Sequence, residues 1–272
     1  GNGSLTNQGT VVWSAGNIEQ INGSTAMTIM NQSGSLFDIQ GDLTLGAGSI
    51  SGNYDNTLTF VNQAGGELRR SAGTGTTLLG WQSDGDNGQN FNLQNNGTVN
   101  IQTGTVRIGL AGTPAASTGT FGVSGGAVLD YGSGSHTFTG VTQSGAGALR
   151  LSGGAITFTG ASTATDLQLA GGTLTVSGGG TVGASNLAFS SGTLAGAGEL
   201  SVTGASSSWS GGTLSGNLRV ASGGTLAMNG GVKNIGNGSL TNQGTVVWSA
   251  GNIEQINGST AMMIENQSGS LF

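Results

Sequence analysis

Residues 166–174 read DLQLAGGTL, residues 186–194 read NLAFSSGTL, and residues 206–214 read SSSWSGGTL. Each segment places an apolar residue four positions before a Thr-Leu pair, and the segments follow one another in steps of 20. The repeating positions are Leu169, Phe189 and Trp209, followed by Thr173, Thr193 and Thr213. Short strands at a fixed step of about 20 residues are typical of a parallel β-helix, whose coils bury their apolar side only by stacking. The sequence therefore predicts an all-β parallel β-solenoid of about 20–24 residues per coil.

The N-terminal half carries a related motif with looser spacing. An apolar residue is followed by an asparagine, a small-residue turn and then Val or Leu, as in LTNQGTV at 5–11 and FVNQAGGEL at 60–68. The asparagines of the series are Asn7, Asn31, Asn62, Asn95 and Asn242. In a parallel stack they are predicted to hydrogen-bond to one another as a ladder at a spacing of ~4.8 Å. The alternative is that each asparagine only forms its own turn.

A much longer repeat joins the two ends of the sequence. Residues 236–272 reproduce residues 1–37 except that Thr28 becomes Met263 and Met30 becomes Glu265. We therefore expect 1–235 to be one solenoid unit and 236–272 to begin the next in a continuous tandem array. Roughly ten to twelve coils at ~4.8 Å each predict an axial length of about 50–60 Å per unit. The substituted positions lie two apart, which indicates one water-facing side of a strand.

The composition excludes several classes of protein. Of 272 residues, 56 are glycine, one is proline, and 7% are charged. Collagen is excluded because there is no Gly-X-Y period. Zero cysteines exclude disulfides and thiolate metal sites. Six scattered basic residues argue against nucleic acid, and the absence of any 18-residue apolar run argues against a transmembrane helix.

A few loops are predicted to protrude from the coils, at 47–57, 80–91 and 109–119. Exposed rings at Tyr54 and Trp81 are the candidates for stacking on a sugar, because loops on a rigid scaffold commonly carry binding residues. Asp84 and Asp86 have the alternating spacing of calcium ligands but lack the downstream bidentate glutamate, so a solvated turn is the simpler interpretation. We predict no metal and no cofactor.

No pattern in the sequence points to catalysis. His136 is the sole histidine and is predicted to lie at the surface, without the pre-organised Asp partner of a catalytic triad. The twelve acidic residues form no obvious pair facing a sugar. Trp13, Trp209 and Trp248 occupy positions equivalent to Leu or Phe in other coils and are predicted to pack in the stacked core or on one of its faces. The prediction is that the chain is not an enzyme.

The GTL and GTV turns, the Asn-x-Gly-[Ser/Thr]-[Val/Leu] pattern and the cysteine-free, Gly/Ser/Thr/Asn-rich composition resemble bacterial surface β-helices. The resemblance is to filamentous-haemagglutinin-like adhesins and autotransporter passenger domains. The resemblance covers the whole chain, although none of its short motifs belongs to these families alone. It implies a right-handed parallel β-helix, export to the cell exterior, and a role in adhesion or an extracellular matrix.

Three functions follow from these observations. The first is a structural segment of a bacterial extracellular fibre, stalk or matrix filament that provides length, stiffness and self-association. Its partners are further copies of the same repeat, joined by covalent continuation or by end-to-end or lateral association. The second is an adhesin that binds glycans through its loops. The third and least favoured is a β-helix carbohydrate-active enzyme, because fold alone does not decide function. Ice binding by a flat ladder of Thr173, Thr193 and Thr213 would be a fourth function, but threonine in a GTL turn is more simply a turn residue.

Overall fold

The computed structural model describes residues 3–20, 26–47, 56–82, 89–109, 112–256 and 258–272. Within these ranges the chain is all-β, with no helix, and its parallel coils stack into a β-solenoid of about 11 turns. The predicted fold class is confirmed. The chain forms two compact units, Gly1–Thr137 with Ser144–Ala148, and Phe138–Gln143 with Leu149–Phe272. The boundary at residue 235 therefore marks the end of one sequence repeat and not a boundary between the compact units, because residues 236–272 belong to the second unit.

The first unit is built from short strands separated by glycine-containing turns. Its strands are β1 (Gly3–Asn7), β2 (Thr10–Trp13), β3 (Ile18–Gln20), β4 (Ala26–Asn31), β5 (Leu36–Gln40), β6 (Thr44–Ala47), β7 (Asn56–Asn62), β8 (Glu67–Ala72), β9 (Thr76–Gln82), β10 (Gln89–Asn95), β11 (Thr98–Ile101), β12 (Thr105–Ile108), β13 (Thr120–Val123) and β14 (Val128–Tyr131). The strands β15 (Ser135–Thr139), β16 (Thr142–Ser144) and β17 (Ala148–Leu151) fall where the sequence passes between the units.

The second unit contains the two longest strands. Its strands are β18 (Ala155–Thr159), β19 (Ala161–Val176), β20 (Thr181–Ala195), β21 (Glu199–Val202), β22 (Ser207–Trp209), β23 (Gly212–Leu214), β24 (Asn217–Val220), β25 (Thr225–Met228), β26 (Lys233–Ile235), β27 (Ser239–Asn242), β28 (Thr245–Trp248), β29 (Ile253–Gln255) and β30 (Met263–Asn266). Strands β19 and β20 pair in parallel, with β-bulges that shift their register. Each of them runs through three successive sides of a coil, because β19 also pairs with β16, β17 and β18, and β20 also pairs with β21, β22 and β23.

Strands in equivalent positions of successive coils pair in parallel and in register. In the first unit, β1, β4, β7 and β10 form a four-stranded sheet in that order. A second stack runs β2-β5-β8-β11-β13, and a third runs β3-β6-β9-β12-β14. Because parallel strands lie about 4.8 Å apart, each side chain rests directly on its counterpart one coil away.

The core follows from the period of two along each strand. In β11, Val99 and Ile101 are buried while Thr98 and Asn100 face outward. The next coil places Phe121 and Val123 at the same two inward positions. The interior is therefore a set of apolar columns that run from coil to coil, because the side chains of a strand alternate between its two faces.

Candidate functional site

The asparagine series forms a buried ladder in the first unit. The Nδ2 group of Asn7 donates to Oδ1 of Asn31 at 2.8 Å, Asn31 donates to Asn62 at 2.9 Å, and Asn62 donates to Asn95 at 2.9 Å. All four side chains are at most 5% exposed. The alternative of independent turns does not describe this geometry, since each amide bonds to the amide of the next coil.

Each rung of the ladder also holds the backbone of the following coil. Nδ2 of Asn31 donates to the Glu67 carbonyl at 3.0 Å, and Nδ2 of Asn62 donates to the Thr98 carbonyl at 2.9 Å. Both N–H donors of such an amide are therefore used. Because an unpaired buried amide costs about 1–3 kcal/mol, the complete pairing favours only the stacking register in which asparagines align.

The ladder in the first unit ends at a change of residue type. One coil after Asn95, the hydroxyl of Ser117 accepts from the Asn95 backbone N–H at 2.9 Å, and Asn95 Nδ2 donates to the Thr120 carbonyl at 3.0 Å. The second unit starts a new ladder, in which Asn242 Nδ2 donates to Asn266 Oδ1 at 2.7 Å. This ladder begins at Asn242, because its Cα partner one coil earlier is Val220, which has no side-chain amide.

The apolar and threonine columns of the second unit have the spacing seen in the sequence. Leu169 pairs with Phe189 and Phe189 with Trp209, and the rings of the latter two are stacked at 5.5 Å with an interplanar angle of 3°. The three are at most 1% exposed. Thr173, Thr193 and Thr213 are likewise Cα partners. This column is partly exposed and lies in β19, β20 and β23, one residue before a buried leucine in each coil. The three threonines are therefore strand residues and not turn residues.

The predicted ligand-binding and calcium residues fall where the structure gives no side-chain description. Tyr54, Asp84 and Asp86 lie outside the described residues, and Trp81 lies in β9 with its side chain outside them. Among the described residues, no group of three His, Asp or Glu side chains is placed to hold a metal ion. Nor do these residues include a helix with the length and apolar character needed to cross a bilayer.

His136 is not a surface residue, so that prediction was wrong. It shares the inward side of β15 with Phe138 and is 3% exposed, with its ring at 4.6 Å from that of Tyr131. One ring nitrogen, Nε2, lies 3.0 Å from the Ser133 carbonyl, whereas Nδ1 is buried without a partner. Burial lowers the pKa of His136 to about 4, against the smaller opposing effect of the Ser133 carbonyl.

Sequence reasoning also missed two charged side chains at inward positions. Arg70 stands between Ile39 and Ile101 in one core column and is fully buried. Its guanidinium binds Asp42 at 2.6 Å and donates to two backbone carbonyls, yet burial still lowers its pKa. Lys233 is buried in the second unit and donates to two backbone carbonyls, at 2.8 and 3.0 Å. The position of Arg70 two residues after the buried Leu68, on the same face of β8, was the available signal.

A further ion pair lies on the outward side of the first unit. Arg69 donates to both carboxylate oxygens of Asp38, at 3.1 and 2.9 Å. Burial raises the pKa of Asp38, but hydrogen bonds from Arg69, Gln40 and Ser71 outweigh it, so the pKa lies below its ordinary value. The pair joins two adjacent coils, because Asp38 and Arg69 are Cα partners. The Arg69–Asp38 ion pair therefore has a structural role in holding adjacent coils together.

The two copies of the 37-residue repeat differ in which of their faces is covered. In the first unit β1, β2 and β3 pair with β4, β5 and β6 of the following coil. In the second unit β27, β28 and β29 rest on β24, β25 and β26 of the preceding coil. Leu5 is accordingly 38% exposed and its counterpart Leu240 is buried, whereas Trp13 is 6% exposed and its counterpart Trp248 is 50% exposed. Trp248 is thus half exposed in the second copy, whereas Trp13 is buried in the first.

The contacts beneath the second copy are specific as well as apolar. Leu218 and Leu240 are stacked and buried. The Ser239 hydroxyl donates to Asn217 Oδ1 at 2.8 Å, and Arg219 donates to Gln243 Oε1 at 3.0 Å. The last coil before the repeat thus fits the first coil of the repeat in both shape and hydrogen bonding.

The fold and the ladder together define a parallel β-solenoid with a tandem sequence repeat. Comparisons of the whole chain find no matching family model, no similar curated protein and no similar solved structure. The functional argument therefore rests on the geometry of the coils and on the repeat itself.

Proposed function

We propose that this chain is a structural segment of a bacterial extracellular fibre, stalk or matrix filament, built from tandem β-solenoid repeats that provide length and stiffness. One observation carries the proposal. The sequence that opens the chain begins again at residue 236, on top of the coil formed by β24, β25 and β26, with the strands still parallel and in register.

The geometry of the repeated coil supports continuation of the stack. The Asn242–Asn266 hydrogen bond is 2.7 Å long and the equivalent Asn7–Asn31 bond is 2.8 Å. The indole N–H of each tryptophan donates to a glycine carbonyl at 2.8 Å in both copies. The local conformation is thus the same in both copies, and a solenoid can be extended by adding repeats without a change in its coil.

The extracellular and bacterial setting is proposed from the resemblance of pattern and composition to surface β-helices. The chain has no cysteine and few charges, and its charged pairs lie between coils rather than in a groove. Glycan binding by the loops remains the competing function, for which the described residues offer no built site.

Cryogenic imaging of the purified material tests the proposal. Unbranched filaments with an axial repeat near 50–60 Å, the length of one 235-residue unit at ~4.8 Å per coil, are expected. Monodisperse short particles at all concentrations, for a chain extended over at least two repeats, would contradict a fibre. A glycan array on the same material separates the competing adhesin function, because specific binding without filaments would favour it.

A further inference from the structure

We infer that one face of the second unit, which we call the threonine face, binds the surface of ice. The face consists of the outward positions of four successive coils, in β18, β19, β20, β23 and the residue after β23. In chain order these positions are Ala155, Thr157, Thr173, Thr175, Thr193, Ala195, Thr213 and Ser215. The inference does not rest on the stacking of repeats, so it goes beyond the proposed fibre and can fail without it.

The outward side chains of the threonine face form a two-dimensional array. Its first column consists of Cα partners in successive coils, namely Ala155, Thr173, Thr193 and Thr213. Its second column consists likewise of Thr157, Thr175 and Ala195. Ser215 continues the second column, because its backbone N–H donates to the Leu194 carbonyl at 2.7 Å. Members of a column are ~4.8 Å apart and the columns about 6.6 Å apart, so hydroxyl and methyl groups recur at fixed intervals in both directions.

A column of glycine turns makes the array regular. The residue before each position of the first column is a glycine with positive φ, namely Gly154 at 67°, Gly172 at 64°, Gly192 at 79° and Gly212 at 88°. A Cβ at Gly172 would lie 2.3 Å from the Gly154 carbonyl oxygen, and one at Gly192 would lie 2.6 Å from the Gly172 carbonyl oxygen. Only glycine combines this backbone conformation with such close stacking. The chain therefore enters the threonine face through the same turn in every coil.

The threonine face carries neither charge nor bulky outward side chains. The segments that form it, with their turns, are 153–160, 171–179, 191–198 and 211–216, and none of them contains a charged residue. Their large apolar side chains are all buried. No long side chain therefore stands above the threonines. The face has no group to pair with an ionic ligand and no exposed ring to stack on a sugar.

The hydroxyls of the threonine face are available to an external partner. Within residues 112–256, the structure gives no hydrogen bond to another protein group for the hydroxyls of Thr157, Thr173, Thr175, Thr193 and Thr213. At the border of the face, by contrast, the hydroxyls of Thr139 and Thr159 pair with each other at 2.7 Å. Branching at Cβ restricts the rotamers of threonine, so these side chains lose little freedom when they bind.

Ice is the ligand that matches these properties. Its surface is an uncharged, periodic lattice of hydrogen-bond donors and acceptors, which a periodic array of hydroxyls contacts at many points at once. One hydroxyl contact contributes little, because liquid water competes for it. Contacts held at fixed intervals on one rigid sheet act together, and only a partner with a matching period can make them simultaneously. Liquid water has no such period, so the threonine face distinguishes the solid from the liquid.

Slow freezing of a dilute solution of the full chain tests the inference. Ice is grown on a cold probe, and the concentration of protein in the ice is compared with that in the remaining liquid. The test variant, Thr193→Lys, places a long charged side chain between Thr173 and Thr213. The matched control, Thr181→Lys, makes the same change at an exposed position of the same strand, on another side of the coil beside Glu199. Circular dichroism checks that both variants keep the β structure.

We expect the natural chain and Thr181→Lys to enter the ice at about ten times the concentration of Thr193→Lys, because the added lysine prevents simultaneous contact across the array. Exclusion of the natural chain from ice would overturn the inference. Equal incorporation of Thr193→Lys would also overturn it, since another surface would then be responsible. Binding to insoluble cellulose or chitin that Thr193→Lys abolishes, without incorporation into ice, would assign the face to a polysaccharide instead. None of these results alters the filament imaging, so the proposed function is tested separately.

Discussion

The same 37-residue sequence occurs in both units of the molecule, and its two copies differ in burial although their local geometry agrees. Trp13 is packed at 6% exposure beside Phe37, whose ring lies 6.4 Å away, whereas Trp248 is 50% exposed and the counterpart of Phe37, Phe272, is 43% exposed. In both copies the indole N–H makes the same 2.8 Å hydrogen bond to a glycine carbonyl. Local sequence thus determines the coil, and the neighbouring coil determines what is buried.

The comparison shows how stability is distributed in this fold. A coil that has a neighbour on one side makes about half of the contacts that it makes between two neighbours. The first copy has its covered side towards β5 and β6, and the second has its covered side towards β25 and β26. Equivalent substitutions in the two copies should therefore have unequal effects.

The largest difference is expected at the tryptophans. Trp13→Ala should lower the free energy of unfolding by about 3–5 kcal/mol, because it removes a large buried ring and leaves a cavity beside Phe37. Trp248→Ala should cost less than about 1 kcal/mol, since half of that side chain already faces water. Urea unfolding of the two variants measures both values, and equal losses would contradict the role assigned to the covering coil.

Acid should destabilise the first unit more than the second, because the only histidine of the sequence lies in the unit that contains the first copy. The folded pKa of His136 is about 4, below its unfolded value of about 6.5, so protonation favours unfolding. The stability of the first unit is fully present above pH 6.5 and falls by up to about 3 kcal/mol as the pH is lowered to 4.

Hydrogen exchange at pH 7 and pH 4.5, followed separately for the two units, measures the acid effect. The control is His136→Phe, which keeps an aromatic ring at the buried position and cannot be protonated. This variant should lose the difference between the units over that pH interval, whatever its absolute stability. An unchanged pH dependence in the variant would assign the effect to the carboxylates instead.

A smaller difference is expected in the ladder. Asn31→Ala should cost about 2 kcal/mol, because it deprives Asn7 and Asn62 of their amide partner in a fully buried position. Asn266→Ala should cost less than about 1 kcal/mol, since Asn266 is exposed and bonds to Asn242 on one side only. Thermal unfolding of the two variants tests this ranking. A larger loss of stability for Asn266→Ala than for Asn31→Ala would contradict it.

Much of the fold could be predicted from spacing alone. The 20-residue step predicted a parallel β-solenoid, and Leu169, Phe189 and Trp209 are indeed Cα partners in successive coils. Spacing is informative here because a parallel stack places equivalent residues directly above one another. Outside this regular region the step widens, to 31 residues between Asn31 and Asn62 and 33 between Asn62 and Asn95.

The exceptions were polar and charged residues at inward positions. Arg70 and His136 were not predicted to be buried, although each lies two residues from a buried apolar residue and so on the same face of its strand. What makes the burial of Arg70 possible is a set of partners on other coils, namely Asp42 and the Thr105 carbonyl. Such partners are fixed by coil-to-coil register and do not appear in the local pattern.

The asparagine ladder also has a direction. Every described rung donates from Nδ2 of the earlier residue to Oδ1 of the later one, in Asn7–Asn31–Asn62–Asn95 and again in Asn242–Asn266. At the two ends of the first ladder the remaining amide groups bond to backbone, since Asn7 Oδ1 accepts from the Gly9 N–H and Asn95 Nδ2 donates to the Thr120 carbonyl. Aligned amide dipoles add along each ladder, so the asparagine side chains give it an electrical polarity that runs in the same direction as the coils.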